Sequence, residues 1–475
     1  MNWMALGPEI YYFLAALWFL GLSLVARPDP KREHLTSFFL TALGMVVCLA
    51  SVRSEGFLFV NAYRVDLFSQ VFKVMLSLGL FLIVCLCGQL VDIHDRHRQD
   101  FYVLLFVCTL AMMLLVSANH LLAIYLSLEL SSYCLYILVA LRRDQKFGLE
   151  AGIKYFLVGI FASAVMIFGL ALLYSAVPAT YLSDMAKLLP GLMDRPAVVV
   201  GLLLTLSGFF FKLAIFPFHI WAPDIYQGAM NQVSAYIATA SKVAAIAVLI
   251  RVVASAGQGS AYLVHVLVVL SIISMTVGNL AAIAQQDLKR LLAYSTIAHA
   301  GYVLIGILSM NPAGYAGAIY YALALLVMKF TAFLVVIKVA GDGQNVQIGQ
   351  LAGLHRRSPI LALALMVSLF SLAGIPPTVG FTGKFLVFVA AMERGYFTLV
   401  LIAMINVVIS LYYYLLAIKA AYLLEPKEEL PLLRLSPSIK LLSGALIAVM
   451  IGAGFFPYYL ITLAEAAARA LTQNG

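Results

Sequence analysis

Residues Phe209–Trp221, FFFKLAIFPFHIW, place a lysine inside an apolar run and then interrupt that run with a proline. A charged side chain at the centre of a bilayer costs at least ~2.5–3.5 kcal/mol on insertion scales. Pro217 cannot donate a helix hydrogen bond, and its ring clashes with the preceding turn. Lys212 and Pro217 together predict a discontinuous transmembrane helix with an ionisable group beside the break, an arrangement that transporters use for sites at mid-membrane depth.

The composition is that of an all-α polytopic membrane protein. The chain has 475 residues, of which 64% are hydrophobic and 11% charged, whereas a soluble domain averages about 25% charged residues. A net charge of +9 would suggest nucleic acid for a soluble chain. Here most Lys and Arg residues fall in short loops, where membrane orientation explains them, so we expect no nucleic-acid partner.

Apolar runs divide the chain into about fourteen transmembrane helices, because about 20 apolar residues cross the ~30 Å hydrocarbon core. The start, MNWMALGPEI, lacks the positive segment of a cleaved signal, so we expect its helix to be retained. The expected spans are 5–26, 36–52, 66–91, 101–117, 120–141, 151–175, 197–219, 231–254, 262–284, 292–309, 315–338, 360–391, 397–423 and 439–464.

The loops predict the orientation of these helices. Odd-numbered loops carry about twice as many Lys and Arg residues as even-numbered loops, so the positive-inside rule places the odd-numbered loops in the cytoplasm. Both termini are therefore expected on the outer side of the membrane. The longest loop, 176–196, has room for a short amphipathic turn and not for a soluble domain.

A faint repeat of the opening stretch occurs near residue 376. FKLAIFPFHIW around Pro217 and FSLAGIPPTVGFTGKF around Pro376 share a Leu-Ala step before the proline and a nearby lysine, Lys212 or Lys384. Five predicted helices separate the copies, and an odd number reverses the direction in which a helix crosses the membrane. This spacing is typical of inverted repeats.

Buried charges are the candidate functional residues. Among the acids only Glu129 lies in the middle of a predicted helix, and the lysines within apolar runs are Lys73, Lys212, Lys242, Lys329 and Lys384. We expect Lys73, which lies about seven residues into its helix, to extend to the interface. A carboxylate beside a buried lysine favours the charged amine, so such a pair can hold or release a proton as its partner moves.

Each buried charge also has a structural interpretation. Glu129 with Lys212 is either a switchable pair or a static ion pair that fixes helix packing, and Lys242 and Lys329 leave the same choice open. A buried histidine is most often a satisfied core residue. The imidazole of His299, however, can exchange protons near neutral pH, and hydroxyl side chains lie close to it in the sequence.

Soluble-enzyme signatures are absent from the sequence. We find no Walker or Rossmann glycine loop, no zinc spacing and no Gly-x-Ser-x-Gly elbow. The five cysteines all fall in apolar segments, and we expect no disulfide, metal or cluster. The chemistry that remains is the movement of protons or small cations.

Three long segments carry a family resemblance. FKLAIFPFHIWAPDIYQGAMNQVSAYIATASKVAAIAVLIR (211–251), QQDLKRLLAYSTIAHAGY (285–302) and SLFSLAGIPPTVGFTGKFLVF (368–388) resemble the antiporter-like membrane subunits of respiratory complex I, the proton-pumping NADH:quinone oxidoreductase. The segment around GIPPTVGFTGKF is most similar to subunit N, because Lys384 stands where subunit M usually has a glutamate. The resemblance covers about residues 125–414.

The resemblance implies a fold of about fourteen helices with two inverted five-helix repeats and broken seventh and twelfth helices. It divides the chain into three N-terminal helices (1–100), two antiporter-like repeats (101–255 and 256–425) and a C-terminal helix (426–475). The family relay carries over to Glu129, Lys212, Lys242 and Lys384, with His299 and Lys329 as additional candidates.

Two features depart from the family pattern. Met230, Asn231 and Gln232 replace prolines expected after Tyr-Gln-Gly-Ala, so the start of the eighth helix is expected to differ. Lys329 stands where a small or amide residue is expected, which indicates an added or altered relay position.

The resemblance also implies partners and cofactors. The expected partners are the M-type and small J- and K-type membrane subunits in a bacterial inner membrane, with lipids around them. Flavin mononucleotide, iron–sulfur clusters and quinone are expected in partner subunits and none in this chain. A subunit of a multisubunit sodium/proton antiporter and a passive membrane scaffold remain alternatives.

Overall fold

The computed structural model describes residues 3–25, 28–142, 146–257, 261–426 and 432–473. These residues form an α-helical bundle with one short β-hairpin, as the sequence predicts for an all-α membrane protein. The first half contains α1 (Gly7–Val25), α2 (Pro30–Ala50), α3 (Leu67–Cys85), α4 (Arg98–Ser117), α5 (Leu121–Ala140), α6 (Lys146–Ala176), α7 (Leu182–Leu188), α8 (Pro196–Leu213), α9 (Trp221–Gly228), α10 (Asn231–Ala238) and α11 (Ala240–Ser255).

The second half begins after residue 260. It contains α12 (Ala261–Ile283), α13 (Leu288–Leu308), α14 (Pro312–Val339), α15 (Leu354–Arg357), α16 (Pro359–Ala373), α17 (Val379–Glu393), α18 (Phe397–Leu423), α19 (Pro437–Phe455) and α20 (Tyr458–Gln473). Short 3₁₀ turns lie at Trp3–Leu6, Asp95–His97, Leu189–Gly191 and Ile348–Leu351.

Thirteen helices among the described residues are long and apolar enough to cross a membrane. The segment α16 is too short alone but continues across a break into α17, and the pair supplies one more crossing. The predicted number of about fourteen therefore holds. Helices α11 and α13 are almost wholly buried, whereas α6, α12, α18 and α19 expose much apolar surface to the surrounding lipid.

Several helix starts are fixed by side-chain caps. The Asp29 side chain accepts from the backbone N–H groups of Lys31 and Arg32 at the start of α2. Asp66 and Ser69 form a reciprocal capping box at the start of α3. Such caps satisfy backbone donors that have no partner inside the helix, which is obligatory where water is scarce.

The hairpin was not predicted from the sequence. Strands β1 (Gly56–Leu58) and β2 (Tyr63–Val65) pair antiparallel, and the connecting residues 59–61 all adopt positive φ angles. Tyr63 also forms a bridge with Ala118 after α4. We call the end of the bundle that contains residues 51–66 the hairpin face, and the end that contains residues 86–97 the opposite face.

Two helices break as the prolines predict. Helix α8 ends at Leu213 and is followed by Ala214 in the left-handed conformation with φ 60°. Helix α16 ends at Ala373 and is followed by Gly374 with φ 86°. In each case the left-handed residue donates its N–H to two carbonyls of the last turn, and a proline follows three residues later. The two breaks therefore share one local geometry.

Two helix boundaries were predicted wrongly, and a third predicted span, which does form one apolar crossing (Asn231–Ser255), is interrupted inside. The expected span 231–254 is interrupted at Thr239, which separates α10 from α11. The expected single C-terminal helix 439–464 is two helices, α19 and α20, because Pro457 cannot continue the hydrogen-bond ladder. The expected span 66–91 ends at Cys85, and a turn leads from there to the opposite face.

Candidate functional site

All six predicted site residues are buried in the interior of the bundle. Each exposes at most 7% of its surface, and each lies on a different helix among α5, α8, α11, α13, α14 and α17. Ionisable side chains are rare in membrane interiors and mark ion or proton pathways by default. The predicted residues are Glu129, Lys212, Lys242, His299, Lys329 and Lys384.

Glu129 and Lys212 are not paired with each other in this structure. Ser163 on α6 donates a short hydrogen bond from its hydroxyl to Glu129 Oε1. Lys212 Nζ, among the described residues, is buried without a hydrogen-bond partner. The carboxylate is thus held by a serine, and the amine of Lys212 is free to take another partner.

The break after α8 is closed by side chains from elsewhere in the fold. Lys242 Nζ on α11 donates to the main-chain oxygen of Lys212 at 2.6 Å. Trp221 Nε1 donates to the main-chain oxygen of Phe211 at 3.0 Å, and its ring lies 4.9 Å from Lys242 Nζ. Free carbonyls at a helix C-terminus carry partial negative charge, so they favour an ammonium group. The break therefore creates a cation site for Lys242.

The break after α16 is closed in the same way. Lys384 Nζ on α17 donates to the main-chain oxygens of Leu372 and Ala373, both at 2.9 Å. Its ammonium also lies 4.8 Å from the centre of the Tyr302 ring. A Cβ atom added to Gly374 would lie 3.0 Å from Lys384 Cδ, so the glycine leaves room for the lysine. Each broken helix thus holds one lysine ammonium at its C-terminal carbonyls.

A chain of hydrogen bonds connects α14, α13 and α18. Lys329 Nζ donates to Ser295 Oγ at 2.6 Å, and Ser295 Oγ shares a hydrogen bond with the Tyr414 hydroxyl. Tyr414 lies 3.2 Å from His299 Nε2, and His299 Nδ1 lies 2.6 Å from the Tyr321 hydroxyl. Hydroxyl and imidazole groups both donate and accept, so this chain can pass a proton along its length.

Tyr321 brings this chain next to Lys384. A Cβ atom on Gly383, the residue before Lys384, would lie 2.5 Å from Tyr321 Cδ2, so the tyrosine ring packs on the α17 backbone. Tyr321 and Tyr414 were not predicted as site residues. Their only sequence signal is a hydroxyl inside an apolar helix, and that signal is common to many of the 25 tyrosines.

A small cavity joins Lys242 to the second half of the chain. It has a volume of about 20 Å³ and is lined mostly by apolar side chains, together with Lys242, Thr239, Thr296, His299 and Lys329. A volume of ~10–15 Å³ is enough for one water molecule, which needs polar partners of this kind. The cavity thus lies between the last predicted residue of the first half and the hydrogen-bond chain of the second.

Charged side chains also surround the end of α9 towards the opposite face. Arg142 Nη1 donates to the main-chain oxygen of Gly228 at 3.1 Å, and Lys289 Nζ donates to that of Ala229 at 2.8 Å. Asp92 Oδ2 lies 3.3 Å from Arg142 Nε. Burial raises the pKa of the Asp92 carboxyl, and the charge of Arg142 opposes this rise. These residues hold a third helix end in place.

Larger cavities lie at both ends of the bundle. A cavity of about 540 Å³ at the opposite face is lined by His34, Asp92, Asn231 and Lys338 among others. A cavity of about 330 Å³ at the hairpin face is lined by Arg64 and Arg251 among others. The buried lysines therefore lie between two polar cavities on opposite sides of the bundle.

The prediction for Lys73 was wrong. Lys73 does not extend to the interface but is fully buried, and its Nζ lies 2.7 Å from Glu9 Oε1. The five cysteines are free thiols. Within the described ranges, no group of three or more His, Cys, Asp or Glu side chains has the arrangement of a metal site.

The chain is similar to known proteins in both sequence and structure. Residues 118–410 match the family described as NADH:quinone oxidoreductase/Mrp antiporter, transmembrane. NADH-quinone oxidoreductase subunit N 2 of Syntrophobacter fumaroxidans is 74% identical, covering 99% of this chain and 100% of the relative. A subunit of the same description from Opitutus terrae is 42% identical, covering 96% and 95%.

Solved structures show the same fold. A chain of respiratory complex I from Thermus thermophilus with bound aureothin is 33% identical, with a TM-score of 0.85 and coverage of 96% of this chain and 99% of that one. A chain of the Mrp complex from Dietzia sp. DQ12-45-1b has a TM-score of 0.89 and coverage of 99% and 98%. Its identity is only 21%, so this second likeness concerns the fold alone.

Proposed function

The chain belongs to the NADH:quinone oxidoreductase/Mrp antiporter family of membrane subunits, with subunit N of NADH-quinone oxidoreductase as its close relatives, and we propose that it moves protons through the buried lysines described above. The observation that carries the proposal is the arrangement of Lys242, the small cavity, Lys329 and the hydrogen-bond chain to Tyr321. A passive scaffold has no need of so many ionisable and hydroxyl side chains in a membrane interior.

The proposed path has two steps in its central part. A proton leaves the Lys242 ammonium, crosses the small cavity and reaches Lys329. From Lys329 it passes through Ser295 and Tyr414 to His299, with each hydroxyl accepting one proton as it releases another. The chain ends at Tyr321, beside Lys384.

Glu129 and Lys212 act in this proposal as the switch. The observed hydrogen bond from Ser163 to Glu129 corresponds to the separated state of the pair. When Glu129 approaches Lys212, its negative charge favours the ammonium form, and when it withdraws that support is lost. Movement of one carboxylate thus controls when Lys212 holds a proton.

The driving energy comes from partner subunits. We infer that flavin mononucleotide, iron–sulfur clusters and quinone reside in those partners, and that M-type and small J- and K-type subunits adjoin this chain in the membrane arm. Moving one charge against the membrane potential costs ~2.3 kcal/mol per 100 mV. Desolvation of a buried lysine and loss of a carboxylate partner alter proton affinity by amounts of this order.

Charge distribution supports one orientation. The loops of the opposite face carry the excess of Lys and Arg, so we place that face in the cytoplasm of a bacterial cell and the hairpin face on the outer side. Protons then enter near the cavity of about 540 Å³ and leave near the cavity of about 330 Å³.

The test is the Lys212→Ala variant of the assembled complex in native membranes. Donor:quinone electron transfer and proton uptake are measured in the same preparation, with assembly checked separately. Loss of both activities in an assembled complex supports the relay, and wild-type values for both refute it. Sodium-dependent proton movement without any electron donor would instead favour the antiporter function.

A further inference from the structure

A buried ion pair in the N-terminal helices lies outside the proposed relay. Glu9 on α1 and Lys73 on α3 are 2.7 Å apart from Oε1 to Nζ, and their side chains are 6% and 0% exposed. A buried ion pair loses hydration on both ions, which makes it a weak source of stability. Its presence in the N-terminal helices therefore calls for another explanation.

The pair leaves one carboxylate oxygen of Glu9 without a hydrogen-bond partner among the described residues. The Tyr63 hydroxyl donates to Glu9 Oε1 at 2.6 Å, whereas Glu9 Oε2 is buried with no hydrogen-bond partner among the described residues. Gln70 Oε1, on the same helix as Lys73, is likewise buried without a partner among the described residues. Unsatisfied buried polar atoms are few in folded proteins, and a carboxylate oxygen in this state indicates a site that binds water or a proton.

Helix α3, which carries Lys73, packs against α11, which carries the relay residue Lys242. Gly79 packs on α11 so closely that its Cβ would lie 3.1 Å from Ala240 Cβ, two residues before Lys242. Nearer the hairpin face, Arg251 Nη2 of α11 lies 3.0 Å from Asp66 Oδ1 at the start of α3. The two helices are therefore antiparallel neighbours along their length.

The depth of Lys73 follows from these two contacts. Lys73 lies six residues before Gly79 in the sequence, about 9 Å closer to the hairpin face at the rise of an α-helix. It is thus between the level of Lys242 and the level of Arg251. Gln70, one turn further out, donates to the main-chain oxygen of Ser54 in the turn before the hairpin at 3.3 Å.

We propose that Glu9 and Lys73 form a proton-binding site on a side branch of the relay, which passes protons from the Lys242 region to the hairpin face in parallel with the route from Lys242 to Lys384. This inference rests on the proposed function. In the step, Lys73 gives its proton to Glu9, and the neutral amine then takes up a proton from the relay. Protonated Glu9 releases its proton towards the hairpin face, so one proton enters, one leaves and the pair regains its charges.

The decisive variant is the double substitution Glu9→Gln with Lys73→Met. It removes both charges together while nearly keeping side-chain volume, so a pair with only a packing role tolerates it. The assembled complex is tested in native membranes beside Lys242→Met. The matched control is Asp184→Asn with Lys187→Gln, which neutralises an exposed ion pair on α7.

Each outcome decides the inference. We expect the double variant to assemble and to lose at least half as much proton uptake as Lys242→Met loses, while the control keeps wild-type uptake. A smaller loss, or failure of the double variant to assemble, overturns the inference and makes the pair structural. Wild-type proton uptake in Lys242→Met would instead refute the relay. That result comes from a variant in which Glu9 and Lys73 are unchanged, so the two failures can be told apart.

Discussion

Lys242 donates from its ammonium to the main-chain carbonyl of Lys212, so one relay lysine caps the broken helix that carries another. Lys384 donates in the same way to the carbonyl of Leu372. Lys212 and Leu372 each lie two residues before the left-handed residue that ends their helix, Ala214 or Gly374. The two breaks thus bind an ammonium at equivalent positions, which supports the predicted inverted repeats.

Lys242→Met is expected to assemble but to lose proton uptake together with electron transfer, because the variant removes the donor and the proton carrier at once. The orphaned Lys212 carbonyl is expected to lower stability by about 1–3 kcal/mol, the cost of an unsatisfied buried group. Thermal unfolding in detergent and coupled activity assays measure the two effects. Lys242→Arg, which keeps the charge and a donor, should recover more stability than activity. Wild-type activity in either variant would contradict a relay role, because neither methionine nor arginine can pass on a proton.

Tyr414→Phe is expected to interrupt the hydrogen-bond chain between Ser295 and His299 while leaving the aromatic packing intact. Proton uptake should fall, and its rate should become more sensitive to deuterium oxide, because proton transfer across the interrupted chain becomes the slow step. Tyr412→Phe is the matched control because Tyr412 is exposed, two residues away on the same helix. Equal uptake in the Tyr414 and Tyr412 variants would exclude Tyr414 from the path.

Gly374→Ala is expected to impair the second break in two ways. The left-handed conformation costs a non-glycine residue roughly 1–2 kcal/mol, and the new methyl group crowds Lys384. Gly395→Ala separates these effects, since Gly395 also has a positive φ of 80° but has no atom within 4 Å of an added Cβ. Both variants should lower the unfolding temperature, and only Gly374→Ala should reduce proton uptake. If Gly374→Ala and Gly395→Ala reduced proton uptake equally, the defect would be due to backbone strain and not to crowding of Lys384.

The sequence predicts the breaks at Pro217 and Pro377 because prolines and charges within apolar runs are rare and have direct physical costs. The interruption at Thr239 has no such signal, since neither proline nor glycine lies beside it. Thr239 lines the small cavity, and its backbone there has φ −115° and ψ −87°, outside the helical range. Helix spans were therefore predictable where the residue types mark a break, and not where they do not.

The buried lysines were predictable as candidates, but their partners were not. Main-chain carbonyls bind Lys242 and Lys384. Because every residue has such a carbonyl, the sequence does not show which ones accept from a lysine. Lys73 was misjudged because its partner Glu9 lies 64 residues earlier, near the start of another helix. The roles of the six predicted residues and the division at residues 100, 255 and 425 stay predictions that the variants test.

Ser163→Ala is expected to release Glu129 from the state seen here, because the Ser163 hydroxyl is the donor that holds the carboxylate away from Lys212. The freed Glu129 carboxylate should pair with Lys212 and hold the proton on the Lys212 ammonium. Proton uptake should therefore slow, although neither charged residue has been changed.

The control for this variant is Ser132→Ala on α5, where the hydroxyl donates to the main-chain oxygen of Leu128. Both serines lose one buried hydroxyl, so their effects on stability should be similar. Adding Lys212→Gln to Ser163→Ala is not expected to restore proton uptake, because the relay itself requires Lys212. The informative readout is the carboxylate band of Glu129 in infrared difference spectra, which should shift in Ser163→Ala and stay unchanged in Ser132→Ala. An unshifted band would mean that Ser163 does not control the position of Glu129, and the switch would then have to act through another contact.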